Sequence, residues 1–514
     1  MSQTGTGATP DGTQRYAGAR FSRLGAEAFA EFGKTGWVVS VTGFGGYRVH
    51  VDMDEHVDAL RTALRKGINL IDTSTNYADG GSERLVGKVL GELLAARELI
   101  RNEVVVVSKV GYIQGSNLAL AREREAAGTP FPEMVKYSDD CWHCLHPDFL
   151  EDQLTRSLER LGLETIDVYL LHNPEYFLME AAAHGLADPL ALQDAYYARI
   201  GAAFAWLEAQ VAAGRIACYG VSSNTLVEPL TDPAFTSLER LLATAREAVG
   251  EANHFRVIQF PFNLMEAGAC TEPNNCEGAH TVLSLAREAN LATLANRPLN
   301  AASGTGAMVR LASFDPPEIR SPAETIDSAY AALQGMQREY EADVLPALTA
   351  AGIEADMSQA FHQINRLGSS YTRYVGWLHW EHSRSYDIEP AVAGAIYRIE
   401  RQAKSIPVWR TWSRLYRDAA LNLLEAADDY QTIIAGKAAD KLVAKLDAIE
   451  PELAKGHNLQ QRCLRLYRSV PGLHSVLLGM RQRSYVMDAL HAARRSRLDD
   501  AEAVIAMFNN PPVR

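Results

Sequence analysis

Eight times along this chain a short apolar run that reads as a buried strand is paired with a segment of helical periodicity, and this alternation restricts the fold more than any other feature. Strands are expected over Val39–Phe44, Gly67–Ile71, Val104–Ser108, Asp167–His172, Arg215–Val221, Phe255–Gln259, Leu291–Ala295 and His474–Leu478. The intervening helices read as Met53–Arg65, Ser82–Leu94, Pro147–Leu161, Ala202–Ala213, Ser237–Val249, Ala279–Ala289, Leu459–Arg468 and Ser484–Ala493. Strands alternating with helical patterns are the signature of a parallel α/β fold, and eight such units point to a closed (β/α)8 TIM barrel. Before the first barrel strand, Phe21–Gly25 and Gly36–Gly43 read as the two arms of a hairpin.

Chemistry in such barrels sits at the carboxyl ends of the strands. Asp72 and Tyr77 follow the second apolar run in Ile71-Asp-Thr-Ser-Thr-Asn-Tyr77, Lys109 follows the third, and His172 ends the fourth. A tyrosine hydroxyl titrates near ~10, so it protonates an alkoxide poorly unless a nearby cation favours the phenolate. Lys109 can supply that charge, Asp72 can hold Lys109 protonated, and a neutral His172 can donate one N–H to a carbonyl oxygen. A lone strand-end lysine is usually just solvated, and a lone histidine is usually a satisfied structural residue. The weight comes from all four falling in order within matching local patterns. The set resembles the aldo-keto reductase superfamily. That resemblance implies Tyr77 as general acid/base, Asp72 and Lys109 as its tuning pair and His172 as the substrate-orienting group, with hydride coming from a nicotinamide cofactor. It implies an NAD(P)(H)-dependent oxidoreductase that interconverts an aldehyde, ketone or sugar carbonyl with the alcohol. The alternative is a redox-sensing or regulatory subunit that keeps the barrel and cofactor, as potassium-channel β subunits do. A metal-dependent barrel hydrolase has little support, because the strand ends lack a cluster of histidine and carboxylate.

The resemblance also assigns cofactor contacts and makes the early hairpin the bottom cover of the barrel. Gly43-Phe-Gly-Gly-Tyr-Arg48, with Gly45, Gly46, Tyr47 and Arg48, matches the segment beneath the nicotinamide ribose and pyrophosphate. Ser222, Ser223, Asn224 and Gln259 fall where the nicotinamide carboxamide is held. Arg297-Pro-Leu-Asn300, with Leu299, and Ser303-Gly-Thr-Gly306 look like the loop around the pyrophosphate, and Asn296 stands where many relatives stack an aromatic ring. Leu478 to Asp488, with Gly479, Arg481, Arg483 and Asp488, resembles the entry to the last helix, where cations bind the adenosine 2′-phosphate. NADP(H) is therefore expected over NAD(H).

Residues 311–455 separate the seventh strand from its helix and read as helices over Ala323–Ala350, Asp356–Ser383, Glu389–Lys404, Pro407–Ile434 and Ala438–Ala454. An insertion leaving a strand's carboxyl end is expected on the active-site face, as a narrowing of access or as a homo-oligomer contact. Its rings, Tyr371, Tyr374, Trp377, Trp380, Tyr386, Trp409 and Trp412, read either as bundle core with a subunit interface or as an overhang on the substrate. The division expected is a disordered tail at 1–19, barrel at 20–310 and 456–495, helical subdomain at 311–455 and an extension at 496–514.

Cys141-Trp-His-Cys144-Leu-His146 has zinc-like residue types, but its ligands crowd into one segment and His146-Pro147 opens a helix, so no metal is expected and a substrate-loop role for Trp142 or His143 is the alternative. A formal net charge of −13 opposes nucleic-acid and anionic-membrane binding. No apolar run reaches membrane-spanning length, no signal-peptide core is present, and six irregularly spaced cysteines fit a reducing compartment, so a cytoplasmic enzyme is expected.

Overall fold

Val105–Val110 and Ile166–His172 are buried at every position, which is what strands covered on both faces require. They belong to a closed barrel of eight parallel strands: β1 Thr42–Gly45, β2 Leu70–Asp72, β3 Val105–Val110, β4 Ile166–His172, β5 Ile216–Ser222, β6 Phe255–Pro261, β7 Ala292–Asn296 and β8 Ser475–Gly479. Each strand neighbours the next in chain order, and β8 closes on β1 with Gly479 opposite Gly45. The computed structural model describes residues 7–185, 188–302, 308–315, 317 and 321–510.

The barrel helices are α1 Asp54–Lys66, α2 Gly81–Ala95, α3 Pro147–Leu161, α4 Pro189–Ala212, α5 Leu238–Val249, α6 Val282–Glu288, α7 Leu459–Ser469 and α8 Arg483–Ala493. Local chemistry sets several of their starts. Pro147 and Pro189 occupy the first turns of α3 and α4 behind capping side chains of His146 and Asp188. Ser237 and Thr281 accept the N–H groups of Arg240 and Ser284 at the starts of α5 and α6.

Inside the barrel, Leu70, Val105, Val107, Val168, Leu170, Val257, Leu294 and Leu477 share one apolar cluster with Phe32, Trp37 and Val39. These last three come from the hairpin Phe29–Glu31/Val38–Ser40, which therefore caps one end of the barrel. The hairpin's first arm lies later than the sequence pattern suggested: Phe21–Leu24 is a single helical turn, and Phe29–Glu31 makes the pairing.

The opening segment is not a free tail, in contrast to the reading of 1–19 as disordered. Pro10–Gly18 is a helix capped by Thr9, and Tyr16 is buried with its hydroxyl donating to the carbonyls of Leu64 and Ile68. At the amino end of the strands, Asp167 accepts hydrogen bonds from Ala8 N, Val106 N and the Arg101 guanidinium, so residue 8 is tied to the barrel. The first six residues lie outside those described.

β5 carries an irregularity between Tyr219 and Gly220 where it pairs with β6. A Cβ on Gly220 would lie 1.7 Å from the Val257 carbonyl oxygen, so only glycine lets the two strands approach there. Downstream, the paired registers Gly45↔Asp72, Ser222↔His172 and Ser222↔Gln259 place the strand-end polar residues at one level.

Two compact units divide the chain, residues 1–299 with 446–514 and residues 300–445. The second has its own apolar core, in which Trp380, Trp409, Trp412 and Tyr416 are fully enclosed. The indole N–H groups of Trp380, Trp409 and Trp412 donate to Asp428, Glu400 and the Met336 carbonyl. Tyr371, Tyr374 and Trp377 pack against this core, and Tyr386 is exposed. Its helices differ from the periodicity reading in three places. A π-helical turn at Tyr340–Val344 interrupts the first, Gly376 in a positive-φ conformation breaks the second, and one helix runs from Pro407 to Ile449 through Gly436. Asn300–Ala302 pairs with Met308–Arg310 as a two-stranded ribbon where a loop was expected, and residues 303–307 lie outside those described.

The connection from Val110 to His146 is built, not open: Tyr112–Ile113, Val135–Ser138 and Cys141–His143 form a three-stranded sheet, with a helix at Gly115–Ala126. Within it the Cys144 thiol donates to the Pro132 carbonyl, and His143 Nε2 lies 2.7 Å from the His172 carbonyl oxygen. No described helix is long and apolar enough to cross a membrane.

Candidate active site

β2 ends at Asp72, and the chain then follows β3 by Thr73 N–H to Val107 O and Thr75 N–H to Lys109 O. A turn with positive φ at Ala78, Asp79 and Gly80 leads into α2 and brings Tyr77 back over the barrel end. Lys109 rises into the same space from the penultimate position of β3 and is fully enclosed. His172 arrives from the last position of β4.

The lysine decides how the group is wired. Its Nζ donates to Asp72 Oδ2 at 2.8 Å, to the Thr73 carbonyl at 2.8 Å and to the Tyr77 hydroxyl oxygen at 3.2 Å. An ammonium has three N–H bonds, and all three are used. Tyr77 therefore accepts from Lys109, and its own O–H remains to be donated elsewhere. Burial pushes the Asp72 carboxyl up and the Lys109 amine down, while their attraction opposes both shifts. As an ammonium Lys109 can donate to all three of these oxygens at once, which favours keeping the proton on it.

Tyr77 departs from the expectation that Lys109 would favour its phenolate. Its pKa lies well above the ordinary tyrosine value, because desolvation comes first and the Asp72 carboxylate adds to it. Desolvation, with the Asp72 carboxylate and Tyr47 beside it, keeps the proton on Tyr77. His172 is held neutral, its pKa well below the usual imidazole value through burial and then the charge on Lys109. Its Nδ1 lies 3.1 Å from Ser74 Oγ. If the Ser74 hydroxyl donates to Nδ1, the imidazole proton sits on Nε2; if it donates to Asn76 Oδ1, 2.7 Å away, the proton sits on Nδ1.

A hydrogen-bonded chain carries this group across the barrel. Gln259 Nε2 donates to Asp72 Oδ1 at 2.8 Å, and Gln259 Oε1 accepts from Ser222 Oγ at 3.1 Å and from Asn296 Nδ2 at 3.4 Å. β5, β6 and β7 are thereby joined to β2 and β3 through one buried amide.

The structure brings some of the expected cofactor residues to this end and commits others to protein partners. Gly46 donates its N–H to the Asp72 carbonyl, and a Cβ there would meet Ser82 Oγ at 2.5 Å and Asp72 O at 2.7 Å. Gly45 and Gly479 are paired neighbours, and nothing approaches the Gly479 Cβ direction. Tyr47 is exposed with its ring 5.3 Å from that of Tyr77, and the Arg48 guanidinium lies over the Tyr47 ring. Arg297 pairs with Glu266 at 2.8 Å, and Leu299 is half-buried beyond it. At the start of α8 Arg483 is exposed, and Arg481 is close enough to His56 on α1 to help burial lower that imidazole's pKa.

Ser223, Gln259 and Asp488 are the committed ones. The Ser223 hydroxyl turns to Thr225 and Thr236, Gln259 gives one N–H to Asp72, and Asp488 accepts from Asn458, Gln460 and Gln461 at the start of α7. Asn224 is held through its backbone, its N–H donated to Glu175 Oε1.

Three residues beside the tetrad had escaped the sequence reading: Ser74, Tyr112 and Glu175. The Tyr112 ring stands edge-on to His172 with centroids 4.8 Å apart, and its hydroxyl accepts from Asn173 Nδ2. Each lies within three residues of Asp72, Lys109 or His172, and that proximity is the signal that could have found them.

Residues 42–334 match the model of the aldo/keto reductase family. The chain is 34% identical over 130 residues to the NADH-specific methylglyoxal reductase of Escherichia coli, covering 25% of this chain and 34% of that protein. It is 28% identical over 220 residues to a putative voltage-gated potassium channel subunit beta of Schizosaccharomyces pombe, covering 41% and 54%. The chain thus spans between a third and just over half the length of these curated relatives. A solved structure of a glycerol dehydrogenase from Gluconobacter oxydans aligns at 17% identity and a TM-score of 0.46, over 95% of this chain and 98% of that one. With more than half of its length matching the family model, starting at the first strand of an eight-stranded parallel barrel, this chain belongs to the aldo/keto reductase family.

Proposed function

We propose that the chain is an NAD(P)(H)-dependent oxidoreductase that interconverts a carbonyl and an alcohol, with Tyr77 as the general acid/base. The observation that carries this reading is the use of all three Lys109 N–H bonds, which leaves the Tyr77 proton as the one the group can hand over. In reduction Tyr77 protonates the oxygen of the substrate carbonyl. As the proton leaves, the phenolate that forms lies 3.2 Å from the ammonium, so the charge developing on Tyr77 is met by a cation already in place. When the Ser74 hydroxyl donates to Nδ1, His172 carries its proton on Nε2 and can donate it to the same carbonyl oxygen and orient it. Oxidation of an alcohol follows the same path in reverse.

A nicotinamide cofactor, when bound, would supply or accept the hydride. The residues present fit such a group: Asn296 Oδ1 and Arg297 Nε are buried without hydrogen-bond partners, and the Cβ direction of Gly479 is open, so a ligand can come close to the backbone there. Ser222, Asn224 and Asn296 would hold the nicotinamide side, Arg297 the pyrophosphate, and Arg481 and Arg483 a 2′-phosphate, which favours NADP(H) over NAD(H). The reading is tested by following nicotinamide absorbance with a panel of aldehydes, ketones and sugars, each cofactor being offered in both directions. Turnover with at least one carbonyl or sugar is expected. Tight cofactor binding with no turnover on the whole panel would favour a regulatory, cofactor-sensing role instead.

A further inference from the structure

Glu175 is enclosed in the turn after β4, three residues beyond His172, and forms no ion pair among the described residues. Its Oε1 accepts the Asn224 N–H at 2.8 Å, its own backbone N–H and the Ser223 hydroxyl lie close enough to lower its pKa, and Oε2 is buried with no partner in ordinary hydrogen-bond geometry. Burying a carboxyl with one oxygen short of a partner costs desolvation that a neutral side chain of the same shape avoids. What it holds is the turn 222–224 at the carboxyl end of β5.

Resting on the reading of that turn as the nicotinamide-holding segment, we propose that Glu175 is a positioning residue: it fixes the backbone of Asn224, and its charge state biases the site between oxidised and reduced cofactor. The two cofactor forms differ by one positive charge on the nicotinamide ring. An anionic Glu175 beside the turn favours the charged, oxidised form, whereas a neutral Glu175 does not discriminate on charge. Burial pushes this carboxyl up to about 7, against the pull of its hydrogen bonds and of the Arg297 charge, so both states are populated near neutrality.

The groups around it do not change charge in that range. Arg297, from the loop after β7, is paired with Glu266. Tyr112, Tyr176 and, on α4, Tyr196 have phenols whose pKa values burial raises above the ordinary tyrosine value. His172 is held neutral. Glu175 therefore sets the sign: the affinity ratio of oxidised to reduced cofactor rises as pH passes upward through its titration.

The test is to measure dissociation constants for NADP+ and NADPH, and for NAD+ and NADH, between about pH 6 and about pH 8 in the wild type, Glu175→Gln and Glu175→Ala. For the wild type the oxidised-to-reduced affinity ratio is expected to rise on the order of tenfold across that interval. Glu175→Gln, which keeps an acceptor for Asn224, should bind both forms with a flat ratio, and Glu175→Ala should bind both forms more weakly. A flat ratio in the wild type, or an unchanged slope in Glu175→Gln, overturns the proposal while leaving the oxidoreductase reading intact. Failure of the wild type to bind any of the four cofactor forms overturns that reading and this proposal together. Should Glu175→Gln not fold, infrared titration of the buried carboxyl in the wild-type complexes decides the matter. A lower Glu175 pKa with oxidised than with reduced cofactor is expected, and equal values overturn the proposal.

Discussion

Replacing Lys109 by methionine tests the wiring of the site through stability as well as rate. Methionine keeps much of the lysine stem but removes three hydrogen bonds and the cation that balances Asp72, which is almost fully enclosed. Breaking a buried ion pair from one side leaves an uncompensated charge and lowers stability by about 3–5 kcal/mol. In Lys109→Met the Asp72 pKa rises further above its unfolded value, because burial is no longer opposed by the ammonium. A carboxyl raised on folding is charged more readily in the unfolded chain, so the deficit is fully expressed above its folded pKa and shrinks as pH falls toward ~4. The double variant Asp72→Asn/Lys109→Met removes the stranded charge and should recover most of the lost stability while remaining inactive, since Tyr77 has lost its cation. Urea unfolding at two pH values, with turnover measured on the same samples, gives both readouts. A single variant no less stable than the double one, or one whose deficit does not depend on pH, would refute the argument that Lys109 exists here as the ammonium partner of a buried carboxylate.

Three further substitutions probe other links. Ser74→Ala removes the hydroxyl beside His172 Nδ1 and frees that nitrogen to carry the imidazole proton. A loss in kcat/KM of about tenfold is expected, with the loss of one hydrogen bond as its scale, and unchanged kinetics would show that the tautomer is set elsewhere. Gly220→Ala drives a Cβ against the Val257 carbonyl oxygen and should lower stability by about 1–3 kcal/mol, read from the unfolding midpoint; a neutral effect would mean that β5 and β6 do not meet so closely. Arg481→Ala combined with Arg483→Ala should weaken NADP(H) binding selectively, leaving NAD(H) affinity within about twofold, because only the former carries the 2′-phosphate. Equal losses for both cofactors would assign these arginines another role.

The barrel was legible because its signals are local. Val104 to Ser108 and Asp167 to His172 are continuous apolar runs, and Pro147 and Ser237 mark helix starts. Asp72, Tyr77, Lys109 and His172 could be picked out because strand ends in a parallel barrel share one face. What escaped depends on partners distant along the chain. The Gly- and Thr-rich opening reads as a tail, yet Tyr16 finds carbonyl partners at 64 and 68 and Ala8 finds Asp167. The Gln259 amide also reaches Asp72 across 187 positions of sequence, a contact that no local pattern shows. Tyr77 reads as a phenol tuned toward ionisation, because a sequence pairs it with Lys109 without showing how completely the phenol is desolvated. The π-helical turns at Tyr340–Val344 and Ser383–Ile388 place Tyr340, Val344 and Ile388 in the core with Trp380, Trp409 and Trp412, which periodicity does not encode.

The central claim is that Tyr77 delivers the proton, and Tyr77→Phe tests it most directly. The phenylalanine ring keeps the shape and leaves Lys109 with Asp72 and Thr73, so cofactor affinity should be retained within about twofold while turnover falls on the order of 10² to 10⁴, the range for a general acid–base group. Measured with the best substrate from the panel, near-normal turnover in a variant that binds cofactor normally would contradict the assignment of the proton to Tyr77.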